Sequence, residues 1–222
     1  MAVEEGLPEG ETRGGRRMRQ NLCVSSSAFV IVIPVKGGPV AKSRLGGDAT
    51  FRAALARAMA LDTIEAALEV ASVIVVTSDD LAADLAAVGV GVGVGVVIVP
   101  DPGEGLNAAI EAGLEAVPRG AASAVLLGDL PGLDPRELRA ALEASVAERS
   151  FVADADGVGT VLTVARASHA LRFGAGSRQA HLDAGYVELL EPWPSLRRDV
   201  DLPQHLEQLA RGRRTLELLR ER

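Results

Sequence analysis

Cysteine is nearly missing: Cys23 is the one thiol in 222 residues. A single cysteine excludes an internal disulfide framework and a cysteine-held metal cluster. Aromatic residues make up 3% of the chain, so a core has to be built from Val, Leu, Ile and Ala. No apolar run reaches the roughly 18 residues of a membrane span. The opening stretch, MAVEEGLPEGETRGGRRMRQNLCVSSSA, has no continuous apolar segment of the kind a secretory leader carries, so the cytoplasm is the expected compartment. Positive charge is in deficit, with 23 Lys and Arg against 30 Asp and Glu and a net charge of -7. That balance disfavours a surface that coats nucleic acid, but not a local site for a nucleotide. The three histidines, His169, His181 and His205, are scattered without ligand spacing and read as surface or core-edge residues. Both GxxxxGK[ST] and GxGxxG are absent, which excludes a P-loop and disfavours a Rossmann dinucleotide site.

What is present is alternation. Residues 1–27, rich in Gly, Glu, Arg and Ser without any period, are expected to be disordered; Met18 is an alternative start to Met1. A single domain is expected over 28–222. Phe29 to Val35, FVIVIPV, reads as a buried strand. The stretch TFRAALARAMALDTIEAALEVA reads as a helix with Thr50 as N-cap and Phe51, Leu55, Ala58, Leu61 and Leu68 on one face. Further strands are expected at SVIVVTS, near Val96 to Val99, and at SAVLLGD. Helices are expected through Leu81 to Ala87, in GLNAAIEAGLEAV and in DPRELRAALEASVAE, the last with Asp134 as N-cap and Pro135 in the first turn. The Gly-Val run at 88–95 reads as a loop or ragged edge. FVADADGVGTVLTVA reads as two short strands around an acidic Gly turn that holds Asp154 and Asp156. FGAGSRQAHLDAGY reads as a loop entering a helix, and RRDVDLPQHLEQL as a strand end entering a final helix. Strand–helix alternation implies an α/β fold with a mostly parallel sheet covered on both faces. Ligands in such sheets sit beyond the carboxyl ends of the strands.

The residues at those ends are chemically pointed. Lys36, Lys42 and Arg44 follow the first strand in a Gly-containing loop, a composition suited to polyphosphate and also to a solvated loop. Asp79 and Asp80 follow the second strand, and Asp80 reads as a helix cap. DPGEGLN follows the third. Asp129 follows the fourth, inside GDLPGL, where it serves either as a turn residue or as a ligand of Mg²⁺, which needs only one or two carboxylates when bound to phosphate. RRDVD offers a second acid, Asp199 or Asp201. Two acids beside a cationic loop suit nucleotidyl transfer. Tyr186 and Trp193 read as packing.

In this order, IVIPVKGGPVAKSRL, GEGLNAAI, LLGDLPGL, DADGVGTVLTVA, FGAGSRQAHLDAGY and LRRDVD resemble the phosphoenolpyruvate/2-phospho-L-lactate guanylyltransferase family of coenzyme F(420) biosynthesis. The similarity spans about residues 28–211. It implies a nucleotidyltransferase fold of the glycosyltransferase-A type with a central mixed sheet, GTP and Mg²⁺ as partners, and phosphoenolpyruvate as acceptor. The products would be enolpyruvoyl-2-diphospho-5'-guanosine and pyrophosphate. Thr160, Gly174 and Ser177 fall on the family's phosphoenolpyruvate-binding positions, Asp129 and Asp199 on its metal-binding acids, and Lys36, Lys42 and Arg44 on its triphosphate loop. Gly105 and Asn107 fall where the guanosine pocket is lined. The chain departs from the family pattern in the Gly-Val run and in the Gly-Gly of KGGPVAKSRL, both of which affect loops. Alternatives are the same reaction on 2-phospho-L-lactate and a non-catalytic GTP-binding regulatory module. Other sugar-phosphate or molybdopterin-type nucleotidyltransferases open with GGxGxR after the first strand, which VKGGPVAKSRL lacks. A homodimer is left open.

Overall fold

The computed structural model describes residues 29–35, 48–78, 81, 84–85, 95–200 and 212–221. Seven described strands form one sheet: β1 (Val30–Val35), β2 (Ser72–Thr77), β3 (Val96–Pro100), β4 (Ser123–Leu126), β5 (Arg149–Ala153), β6 (Thr160–Ala165) and β7 (Val187–Glu188), in the order β3-β2-β1-β4-β6-β5-β7. β1 pairs in parallel with β2 and β4, β2 with β3, and β5 with β7. β6 runs antiparallel to both β4 and β5. Parallel neighbours need crossovers, whereas a short acidic turn can only return a hairpin. The β5–β6 hairpin therefore inserts the reversed strand, and the expected mostly parallel mixed sheet follows.

β1, β2, β4 and β6 are buried at every position, so both sheet faces are covered. On one face, Ile31, Ile33, Val73, Val75 and Leu126 pack with residues of α1 (Ala49–Leu68) and α3 (Pro135–Ala144). On the other, Val30, Val32, Ile74 and Val76 pack against Ala109 and Ile110 of α2 (Leu106–Glu115) and against Phe173. A smaller cluster joins Phe151, Ala153 and Tyr186 to Leu182 of α4 (Ser177–Asp183). The short α5 (Pro194–Arg197) and the terminal α6 (Arg213–Arg220) complete the described helices. None of them is long and apolar enough to cross a membrane.

Several expectations need correction. The N-cap of α1 is Asp48, whose Oδ1 accepts from Phe51 N at 2.8 Å; Thr50 lies within the first turn. Both residue types cap well, and the helix begins two residues earlier than the apolar pattern alone suggests. α1 is also buried around most of its circumference. Leu55 and Met59 pack with Val200, Leu218 and Leu219, while Leu61, Ile64 and Leu68 face the sheet. Asp62 explains the second contact. This buried acid accepts from Arg214 N at 3.1 Å, Thr215 N at 2.9 Å and Thr215 Oγ1 at 2.7 Å. It thereby supplies the acceptors that the first turn of α6 lacks internally. Arg198 to Val200 form no strand; Val200 is tied down by one backbone bond, its N–H donating to Asp129 O at 3.1 Å. Asp134 and Pro135 do begin α3 as expected, with Asp134 Oδ1 accepting from Arg136 N at 2.8 Å. Lys36, Lys42, Arg44, Asp79, Asp80, Asp201, His205, the 1–27 extension and most of the Gly-Val run lie outside the described residues, as does most of the helix expected at 81–87.

Candidate active site

The parallel strands β1 to β4 bring their carboxyl ends to one edge of the sheet, and a cleft of about 220 Å³ opens there. Pro34 and Val35 border it from β1, Ser78 follows β2, Asp101 follows β3, and Gly105 and Leu106 begin α2. Gly105 is the N-cap of α2 with φ +101°, a conformation natural to glycine. The free N–H groups of that helix end suit a negatively charged ligand. Asp101 stiffens the turn, its Oδ1 accepting from Gly103 N at 2.8 Å.

Asp129 stands just past β4 on the same edge. Gly128 before it packs tightly on β1: a Cβ there would lie 3.3 Å from Pro34 O. Thr63 of α1 holds the far side of the loop, accepting from Leu130 N at 3.1 Å and donating to Met59 O at 2.9 Å. The Val200–Asp129 backbone bond draws the chain next to Asp199 against the Asp129 turn. Arg197 secures that segment. Its guanidinium donates to Ala153 O at 3.1 Å, Leu189 O at 2.6 Å and Glu191 O at 3.2 Å, while its own carbonyl accepts from Ala155 N at 2.8 Å. The backbone segments that carry two half-buried acids, Asp129 and Asp199, thus adjoin at one sheet edge. Among the described residues no group of three or more acids, histidines or cysteines stands together. A pair of carboxylates is the donor set a hard divalent cation needs when phosphate and water complete its shell, so these residues fit such an ion.

A second cluster lies beside the first. Thr160 opens β6 and Ser177 opens α4; each is 3% exposed. Gly174 (φ +141°) and Gly176 (φ +69°) shape the loop between Phe173 and Ser177, and Ser177 N donates to Gly174 O at 3.1 Å. His181, one turn into α4, joins the two hydroxyl residues, with Nδ1 3.0 Å from Thr160 Oγ1. The turn before Thr160 is organised by Asp154, which accepts from Val158 N at 2.9 Å and Gly159 N at 2.8 Å, so Asp154 is a turn residue. Arg178 N donates to Val158 O at 3.1 Å, and its guanidinium pairs with Glu188 at 2.8 Å. Asn107, expected on the guanosine side, uses its amide on the loop that leads into α4. Nδ2 donates to Phe173 O at 2.9 Å and Oδ1 accepts from Phe173 N at 3.1 Å. It therefore ties the helix end at the cleft to the residue before Gly174.

The MobA-like NTP transferase domain model matches residues 41–200. The phosphoenolpyruvate guanylyltransferase of Geodermatophilus obscurus is 43% identical over 197 residues, covering 82% of this chain and 88% of that protein. The enzyme of the same name from Thermomonospora curvata is 46% identical over 190 residues, covering 79% and 80%. This chain belongs to the phosphoenolpyruvate guanylyltransferase family. Its fold is shared more widely: a nucleotidyl transferase from Methanothermobacter thermautotroptrophicus superposes with a TM-score of 0.53 at 19% identity, covering 88% of this chain and 99% of that one.

In this family member, sequence reasoning missed His181 and Arg197. His181 is fully buried, which corrects its reading as a surface or core-edge residue. The available signal was its position, four residues after Ser177 at the start of a helix, where one turn returns the side chain to the same face. Arg197 carried no signal, because its partners are backbone carbonyls, which leave no mark in the residue types around them.

His181 and His169 share a consequence. Burial, first, holds each imidazole down to about 4. For His181 a hydrogen bond to Ser177 opposes this and Arg172 adds to it; for His169 a hydrogen bond to Ser123 opposes it and Arg149 and His181 add. An unfolded histidine titrates near 6.5, so below that pH the unfolded chain binds more protons than the folded one. Their contribution is therefore fully present above about pH 6.5 and is lost as pH falls toward about 4. Thermal unfolding should be level from pH 8 to 7 and then drop by several degrees by pH 5, before most carboxylates titrate. A melting temperature unchanged from pH 7 to 5 would contradict it.

Proposed function

We propose that the chain transfers the guanylyl group of GTP to phosphoenolpyruvate, releasing pyrophosphate, as a step of coenzyme F(420) biosynthesis in the cytoplasm. The observation that carries this reading is the meeting, on one sheet edge of a family member, of the Asp129–Asp199 pair with the Thr160, Gly174 and Ser177 cluster. A phosphate oxygen of phosphoenolpyruvate attacks the α-phosphorus of GTP in line. The new O–P bond forms as the bond to the β-phosphate oxygen breaks, and pyrophosphate leaves. The attacking oxygen is already anionic, so no general base is required, in keeping with the histidines held neutral. The gain comes from positioning and from neutralising charge on the triphosphate.

Each group has a place in this scheme. The cleft at Gly105 takes the nucleotide, with the N-terminal end of α2 facing it. Thr160, Ser177 and the backbone at Gly174 hold the acceptor. Lys36, Lys42 and Arg44, in the segment that leaves β1 at the cleft, neutralise the triphosphate. Asp129 and Asp199 would hold a divalent cation, Mg²⁺ by its ligand chemistry, which when bound supplies further neutralisation of phosphate charge. Asn107 keeps the nucleotide and acceptor sides in register. No nucleic acid or membrane partner enters the scheme.

The test is pyrophosphate release from purified protein with GTP and Mg²⁺, given phosphoenolpyruvate or 2-phospho-L-lactate in parallel. Release is expected with phosphoenolpyruvate. Release with 2-phospho-L-lactate alone would move the acceptor assignment, and GTP binding without release from either would favour a regulatory module.

A further inference from the structure

His181 has the surroundings of a group chosen for one nitrogen. It is 0% exposed. Its ring is boxed by Phe151, Phe173 and Tyr186, with centroids 5.8, 5.1 and 5.0 Å away, the last two close to perpendicular. Phe173 is itself pinned at its backbone by Asn107. Nδ1 faces Thr160 Oγ1 at 3.0 Å. Nε2 is buried with no hydrogen-bond partner among the described residues.

A neutral imidazole carries one N–H, on one nitrogen or the other. Placed on Nε2, that hydrogen would be a buried donor without an acceptor, which carries the full desolvation penalty. Placed on Nδ1, it meets Thr160 Oγ1. The bare Nε2 then lies among aromatic rings, whose edges are electropositive. We propose that His181 is fixed as the Nδ1–H tautomer and acts as a positioning residue, donating to Thr160 Oγ1 so that the threonine hydroxyl can spend its own hydrogen only on the acceptor substrate. Thr160 is thereby made a donor, matched to an unprotonated phosphate or carboxylate oxygen. If His181 instead accepted from Thr160, the hydroxyl would turn its lone pairs toward the anion and repel it. The inference rests on the reading that Thr160 contacts phosphoenolpyruvate.

Four substitutions and one spectrum decide it. Asn carries an amide N–H close to the place of Nδ1; Gln reaches the place of Nε2; Phe fills the ring volume with no N–H. His181→Asn should keep the KM for phosphoenolpyruvate within about threefold. His181→Gln and His181→Phe should raise it by about tenfold or more, with the KM for GTP unchanged in all three, as expected when a single contact to one substrate is lost. The reverse order, with Phe active and Asn not, would reduce His181 to packing and overturn the proposal. Thr160→Val separates the two readings, since an unchanged KM for phosphoenolpyruvate there would sink the role of Thr160 itself. Nitrogen NMR of the full-length ¹⁵N-histidine-labelled protein, with His181 assigned by its loss in His181→Asn, then tests the tautomer independently of turnover. A protonated Nδ1 and bare Nε2 are expected; a protonated Nε2 overturns the proposal.

Discussion

Replacing Asp129 by Asn should lower the rate of pyrophosphate release by roughly a thousandfold, about 4 kcal/mol of lost transition-state stabilisation, while the melting temperature shifts by no more than a few degrees. Asn keeps the shape of the side chain and removes its charge. The turn has other supports: the Asp129 carbonyl accepts from Val200 N, and Leu130 N donates to Thr63. Asp199→Asn should lose activity to a similar extent, because the same backbone bond sets it beside Asp129. If the two carboxylates hold one cation, their losses are not additive, so the double variant should be little worse than either single one, and all three should need more Mg²⁺ for half-maximal rate. Turnover of Asp129→Asn within tenfold of the parent would sink the ligand role. Additive losses would mean that the two acids work separately.

The Gly-rich turns and the acid that follows β4 are legible because each is local. An acid directly after a buried strand announces itself within a few residues. The same holds for Asp134 with Pro135 at the start of α3, and for the β5–β6 hairpin. What could not be read depends on pairs far apart in the chain. Asp62 looks like a polar interruption in a helix until Thr215, 153 residues later, is seen to donate to it. His181 looks like one of three scattered histidines until the fold sets β6 against α4 and gives Nδ1 a hydrogen-bonding partner in Thr160. Asn107 sits in a motif that suggests a nucleotide, yet its amide bonds run to Phe173, 66 residues on. Even the placement of β6 between β4 and β5 is set by pairing rather than by pattern, since its apolar run would suit a strand of either direction.

Gly113 shows how far such a contact can reverse a local rule. Glycine inside a helix ordinarily costs up to about 1 kcal/mol relative to alanine, so Gly→Ala in α2 should be stabilising. Here a Cβ would lie 2.4 Å from Val32 Cγ1 and 2.7 Å from Val76 Cγ2. Those side chains are short, β-branched and stiff, and they belong to the fully buried strands β1 and β2. Gly113→Ala should therefore destabilise by about 1–3 kcal/mol, lowering the melting temperature by roughly 2–4 °C for each kcal/mol in a chain of this length. Gly113→Val should cost more. Glu111→Ala, at an exposed position of the same helix, should stay within about 0.5 kcal/mol. The effect should reach the site as well: α2 rides on the sheet at Gly113 and presents Gly105 to the cleft at its other end. Lifting the helix off β1 and β2 should weaken GTP binding in the fraction that stays folded. A raised melting temperature for Gly113→Ala would mean that helix propensity outweighs the valine contacts, and that α2 has room to shift on the sheet.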